Sequence, residues 1–406
     1  MSSRARSASA KSGPSDKKRK TNPSPAIEVI EPTSVLSLPK DLLLNCLARI
    51  SRLHYPTLSL VSKTFRSIIA SPELYETRSR LNRTEKCLYL VLHFPFDTKT
   101  YCFTLYRQPN RKVTNESSGY LMVEIPSPYP GMVPAQRSTL VAVGSNIYKI
   151  GGSDSCGFQL FGSSSSFVSF LNCQSHTWHQ TRSMQMDRSC SSTASLVDGK
   201  IYVAGGNKKD RSSNWVEVFD PKSQTWESVP NPRMQLYEWN EYAPRRVPKS
   251  ISLEGKFYLF GDEFKVYNSE EGKWNYIEEG SLMHHAVGTN SSYCVIDDVL
   301  FVWHKYNGKF KWYDLKLNLW KELCGIEGLP DFEECKMVDL GGKMAVLWDV
   351  LDHTARYQEN RIWCAEISLE KRDGGEIWGK VEWLDFVLRV HGSCTLSHTD
   401  VISASL

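Results

Sequence analysis

Val216-Glu217-Val218-Phe219-Asp220-Pro221-Lys222-Ser223-Gln224-Thr225-Trp226 reads as a strand, a tight turn and the opening of a second strand. β-Branched and aromatic residues suit a pleated, half-buried surface, and Asp-Pro-Lys-Ser has the chemistry of a turn. The closing tryptophan returns: Trp178, Trp226, Trp274 and Trp320 stand 48, 48 and 46 residues apart. The strand before each ends alike, in Phe170-Leu171-Asn172, Val218-Phe219-Asp220, Val266-Tyr267-Asn268 and Trp312-Tyr313-Asp314. A period near 50 is that of a blade, a small sheet that buries its faces only by stacking on its neighbours. The middle and end of the chain are therefore expected to be one mostly β domain, a β-propeller.

Each repeat extends toward the N-terminus of its tryptophan. With blade strands lettered a to d, strand a ends at Gly144-Ser145-Asn146, Asp198-Gly199-Lys200, Glu254-Gly255-Lys256 and Gly341-Gly342-Lys343. Such turns need positive φ and close short hairpins. Strand b follows at 147–150, 201–204, 257–260, 299–302 and 344–347. The first two end in Gly151-Gly152 and Gly205-Gly206, where backbone must approach backbone. The doublet becomes Gly261-Asp262 and then disappears, and the last repeat stretches to Trp378 or Trp383. Five repeats fill about 136–385. Before them, 88–92 and 101–106 read as a c–d pair; after them, 394–397 and 401–404 are expected to supply its a and b. Joining the ends would complete a sixth blade and remove exposed sheet edges.

Composition narrows the function. The chain has 406 residues and a net charge of +4. Residues 1–35 carry seven Lys/Arg against Asp16, Glu28 and Glu31, so the remainder balances at 42 against 42. A folded part with no excess positive charge is a poor phosphate binder, which argues against a nucleic-acid partner. No apolar run approaches the ~18–20 residues that span a bilayer, so a soluble chain with no membrane partner is expected. Eleven cysteines without C-x-x-C spacing read as reduced, packed thiols. Residues 1–32, rich in Ser, Pro and Lys, are expected to be a disordered basic tail. Lys17-Lys18-Arg19-Lys20 within it has the composition of a nuclear import signal, and equally of a solvated charge run. A nuclear or cytoplasmic protein is expected.

Residues 33–82 change character. Leu38, Leu42, Leu43, Cys46, Leu47 and Ile50 share one helical stripe, opened by Pro39. Leu58, Val61, Phe65, Ile68 and Ile69 form a second stripe, stopped at Ser71-Pro72. Helices this short bury little alone, so their apolar faces need a partner. The runs 36–50 and 58–69 resemble the two halves of an F-box, with Ser62 and Phe65 where the family often has Cys and Trp. The repeats over 83–406 resemble kelch repeats, and the combination is similar to the plant F-box–kelch family across almost the whole chain. That resemblance implies a six-bladed kelch propeller behind a small helical module. It implies also that the module docks on a Skp-type adaptor of a cullin–RING (SCF-type) ubiquitin ligase while the propeller holds a protein client.

On this reading the adaptor-binding residues are Leu38, Pro39, Leu42, Leu43, Leu47, Leu58, Val61, Lys63, Phe65 and Ile68. Strand alternation sends the d–a and b–c connections to one face of the propeller, and function tends to live on loops held by a rigid scaffold. Arg137, Arg188, Arg245, Arg246, His284 and His304 are the candidate client contacts there, the arginines holding an acidic or hydrogen-bonding segment. The competing account is that these cations pack at strand starts. Copper oxidases on similar propellers suggest testing His284, His285 and His304 as metal ligands, but no further ligands are evident. Iron-dependent specifier proteins carry E-x-x-x-D-x-x-x-H; Asp349 and His353 fit, but Ala345 stands at the first position. The chain is therefore read as non-catalytic, without metal or cofactor, and monomeric outside its complex. A ligase-independent scaffold and a metal-dependent propeller enzyme are the rival readings.

Overall fold

The computed structural model describes residues 38–93, 100–107, 119–126, 138–152, 164–189, 192–206, 215–230, 249–260, 264–277, 291–352 and 359–406. The N-terminal tail and Lys17-Lys18-Arg19-Lys20 lie outside them. Six four-stranded antiparallel sheets follow four helices. Their inner strands, Thr139–Val143, Ser192–Val197, Lys249–Leu253, Ser291–Ile296, Lys336–Asp339 and Thr399–Ser405, neighbour one another around the axis of a six-bladed propeller. Blades 2 to 6 take consecutive strands; blade 1 joins the two ends of the domain.

The closure differs from the two-plus-two expectation. Lys86–His93, Thr100–Arg107 and Tyr120–Ile125 supply strands b, c and d of blade 1, and Thr399–Ser405 alone supplies a. Pairing runs from Lys86 opposite Ser405 to Leu92 opposite Thr399. Residues 394–397 make no strand: Leu396–His398 is a 3-10 turn. Cys394 and Leu396 are buried in the apolar cluster between blades 6 and 1, so this apolar pair acts as a packed connector.

The repeating signals have direct structural causes. Asp198-Gly199 and Glu254-Gly255 take left-handed φ (50° and 77°; 49° and 67°), the mirror-image turn that matches strand twist. A Cβ on Gly206 would stand 2.9 Å from that of Ser192. Trp178, Trp226, Trp274 and Trp320 each lie opposite the aromatic or leucine of strand c: Leu171, Phe219, Tyr267 and Tyr313. The indole N–H groups of Trp226 and Trp274 donate to the carbonyls of Arg182 (2.9 Å) and Pro230 (2.7 Å), each in the preceding blade's exit loop. In blades 3 and 4 the tryptophan thus faces strand c of its own sheet and ties that sheet to the preceding blade. In blade 6 the pattern gives way to long strands, Glu359–Arg372 and Glu376–His391, the latter carrying both Trp378 and Trp383.

The helical module comprises α1 (Lys40–Ala48), α2 (Tyr55–Ser59), α3 (Lys63–Ile69) and α4 (Pro72–Arg80). Leu43, Leu44, Leu47, Ala48, Tyr55, Phe65, Ile68 and Leu74 form its core. Ser62 caps α3, its hydroxyl accepting from the Phe65 N–H at 3.1 Å, a service that a cysteine would render more weakly.

Candidate interaction surfaces

The expected adaptor set divides in two. Leu43, Leu47, Phe65 and Ile68 are buried in the module's own core, with Leu58 packed against it, because a module this small uses one helical face to fold. Leu38, Leu42 and Val61 stand 39%, 51% and 61% exposed, and Pro39 and Lys63 are exposed beside them in sequence. Leu60, which helical periodicity missed because it lies off the inward stripe, is 71% exposed. Four of the ten large exposed apolar side chains among the described residues thus fall in this helical module, Leu42 on α1, Leu38 just before it, and Leu60 and Val61 in the turn between α2 and α3. Exposed apolar side chains concentrated in this way mark a docking surface.

A second surface is already occupied: the module sits on the propeller. Arg52, buried, donates to Tyr89 Oη at 2.8 Å and to the Cys173 carbonyl at 2.6 Å, and lies 2.9 Å from His176 Nε2. A guanidinium only donates, so Nε2 must be the unprotonated acceptor. Burial, aided by Arg52, pulls the His176 imidazole down to about 4. Arg78, also buried, donates to the Ile50 carbonyl (2.7 Å) and Tyr55 Oη (3.0 Å) inside the module. Its other nitrogen meets Glu85 at 3.0 Å, and Glu85 accepts as well from the Arg52 backbone N–H. Glu85 then exchanges both backbone hydrogen bonds with Leu406 (2.8 and 2.9 Å). Cys173 and His176 belong to the c–d turn of blade 2, so the module rests on the face opposite the b–c and d–a loops.

Of the client contacts expected on the loop face, Arg137, Arg245, Arg246 and His284 lie outside the described residues. Arg188 corrects the sequence expectation. It is 0% exposed, and its guanidinium meets the equally buried Glu217 carboxylate at 2.7 and 3.1 Å while donating to the carbonyls of Gly205 (2.6 Å) and Trp215 (3.1 Å). Its backbone pairs with Ser165 in blade 2, so the residue fastens blade 2 to blade 3 and faces no client. A charge this deep needs a partner to be tolerated, and Glu217 provides it. His304 is half-buried at the end of strand b of blade 5, its imidazole pulled down by burial and by Lys311.

Lysines, more than arginines, populate the described part of this face. Lys149, buried, donates to Thr100 Oγ1 at 3.2 Å and is pulled by burial down to about 7. Lys249 and Lys336 open the inner strands of blades 4 and 6, and buried Lys265 lies over the Tyr276 ring. Their only mark in the sequence is a cation interrupting an apolar strand, as in Ile147-Tyr148-Lys149-Ile150. Among the described residues no three His, Cys, Asp or Glu side chains converge as metal ligands.

Comparison with known proteins adds to this geometry. The family model for the F-box domain matches residues 35–77, and that for the FKB95 Kelch-repeats domain matches residues 102–388. F-box/kelch-repeat protein At4g39590 of Arabidopsis thaliana is 55% identical over 417 residues, covering 100% of this chain and 99% of its own length. Putative F-box/kelch-repeat protein At1g61540 of the same plant is 56% identical, covering 95% and 97%. F-box/kelch-repeat protein At4g39550, also from Arabidopsis thaliana, is 46% identical, covering 92% and 95%.

Proposed function

The chain belongs to the F-box/kelch-repeat family, and on that premise we propose that it is the substrate-receptor subunit of an SCF-type ubiquitin ligase. The observation that carries the reading is the exposed apolar set Leu38, Leu42, Leu60 and Val61, in a helical module whose core is already satisfied from within. A Skp-type adaptor covers it, recruiting a cullin–RING ligase. A client occupies the loop face, with His304 and with Arg137, Arg245, Arg246 and His284 as its contacts. The chain itself performs no chemistry: it brings client lysines near the charged conjugating enzyme, which is catalysis by proximity. The Arg52–Glu85–Arg78 joint supports this, because a receptor held rigidly on its scaffold transmits position. The receptor acts in the nucleus or cytoplasm, with Lys17-Lys18-Arg19-Lys20 as the import signal.

Calorimetry of the full chain with a purified plant Skp-type adaptor tests the proposal. Leu42→Asp should weaken binding at least about thirtyfold, since it removes roughly 2 kcal/mol of apolar burial and adds a desolvated charge. Leu43→Asp, one residue away, should instead unfold the module. No binding by the wild-type chain would overturn the receptor reading and leave a ligase-independent scaffold in which the helices serve as a cap.

A further inference from the structure

The repeat tryptophans fill the seams between blades. Trp178, Trp226, Trp274 and Trp320 each pack into the apolar cluster that joins their own blade to the one before it. Blade 1 brings no tryptophan on Tyr120–Ile125 to its seam with blade 6. At the end nearest the helical module, that seam holds a cavity of about 470 Å³. Its volume lies within the range of about 300–1,000 Å³ that accommodates small organic ligands.

Its walls come from three parts of the chain. Leu88 and Leu105 lie on strands b and c of blade 1, Leu340 in the a–b turn of blade 6, and Leu53 in the helical module. Tyr120 and Trp383, from the outer strands of blades 1 and 6, border it with ring centres 4.4 Å apart. The charged residues of the lining are Glu85, Lys86, Lys343 and Glu366, and each is ion-paired. Glu85 meets Arg78 at 3.0 Å, Lys343 meets Glu366 at 2.6 Å, and Lys86 meets Asp339. A charged guest would lose its hydration here without gaining a free counter-charge. Thr84 and Ser405 add hydroxyls to the lining, and a hydroxyl can give or take a hydrogen bond.

We propose that this cavity binds a neutral, mostly apolar small molecule: a cyclic skeleton carrying one or two hydrogen-bonding groups. The leucines and aromatic rings take the skeleton, and Thr84 and Ser405 take its hydroxyl or carbonyl. Leu53, Lys86, Leu340 and Ser405 converge only when the blades have closed and the helical module is seated. A guest held among them therefore favours that joined state by mass action. Glu85 lines the cavity and also accepts from the Arg52 backbone and pairs with Arg78, so the guest acts directly on the joint that holds the helices. The site makes the seating of the helical module responsive to a small molecule.

The probes are 2-naphthol and, as a charged counterpart of similar size, 2-naphthoate, each titrated calorimetrically into the full-length protein near neutral pH. Naphthol should bind saturably and raise Tm. Naphthoate should bind at least about tenfold more weakly, because its carboxylate finds no unpaired cation. Leu340→Trp, which places an indole in the cavity, should lower naphthol affinity at least about tenfold and abolish the rise in Tm. Leu317→Trp, in the exposed c–d turn of blade 5, should change neither. Independently of any variant, a naphthol bearing a diazirine should label residues 84–88 and 340–343 on irradiation. The proposal is overturned by any of four results: no saturable binding at millimolar naphthol, equal binding of naphthoate, undiminished binding by folded Leu340→Trp, or labelling confined to other segments.

Discussion

Arg188 and Glu217 hold opposite charges where water does not reach, and each is tolerable only beside the other. Arg188→Met should therefore cost about 3–5 kcal/mol in urea unfolding, because it strands a buried carboxylate. Adding Glu217→Leu should recover much of that loss; a double variant no more stable than the single would refute the account. Nothing local in the sequence says that these residues meet. Arg188 looks from its neighbours like Arg137 and Arg246, a cation a few residues before an inner strand, and its partner lies one strand c away in the next blade. At the positions equivalent to Glu217, blade 2 has Ser169 and blade 4 has Lys265, so the repeat pattern is silent about charge pairing. The backbone register repeats; the electrostatics do not.

At the scale of elements, the joint between the helices and the propeller is a titratable contact. His176 keeps its Nε2 bare to accept from Arg52, with a folded-state pKa near 4 against an ordinary value of about 6.5. Between those values the unfolded chain takes up a proton that the folded chain refuses. Stability supplied by this contact is therefore whole above pH 6.5 and declines as pH falls toward 4, by at most about 1.4 kcal/mol per unit. His176→Asn, which tolerates the left-handed backbone at this position (φ 55°), should flatten the dependence of Tm on pH across that window. An identical slope in the variant would locate the acid sensitivity elsewhere. The helices themselves were legible as two apolar stripes over Leu38–Ile50 and Leu58–Ile69, but a stripe does not say which of its residues face inward. Leu42 and Leu43 are neighbours in one stripe and have opposite fates, decided by how α1 meets α4. Blade 1 was legible only in part: Tyr120–Ile125 lacks the tryptophan that marks the outer strands of blades 2 to 5.

For the whole molecule, closure rests on Thr399–Ser405, which fills the inner place of blade 1 and, through Leu406, braces the segment beneath the helices. Deleting residues 399–406 should remove the pairing of Lys86–His93 and the Glu85 contact at once. We expect a large fall in Tm, with broadened unfolding and increased dye binding to exposed apolar surface; an unchanged, sharp transition would show that the ring holds without its clasp. The same clasp sets an order of manufacture. The strand Lys86–His93 leaves the ribosome before the five intervening blades and its inner neighbour only after them, so while they are made it waits with an unpaired edge, open to pairing with another chain. Pairings so distant along the chain also form slowly. A premature stop codon anywhere before Thr399, even one that spares five complete blades, should therefore behave genetically as loss of the protein and not as a shortened receptor.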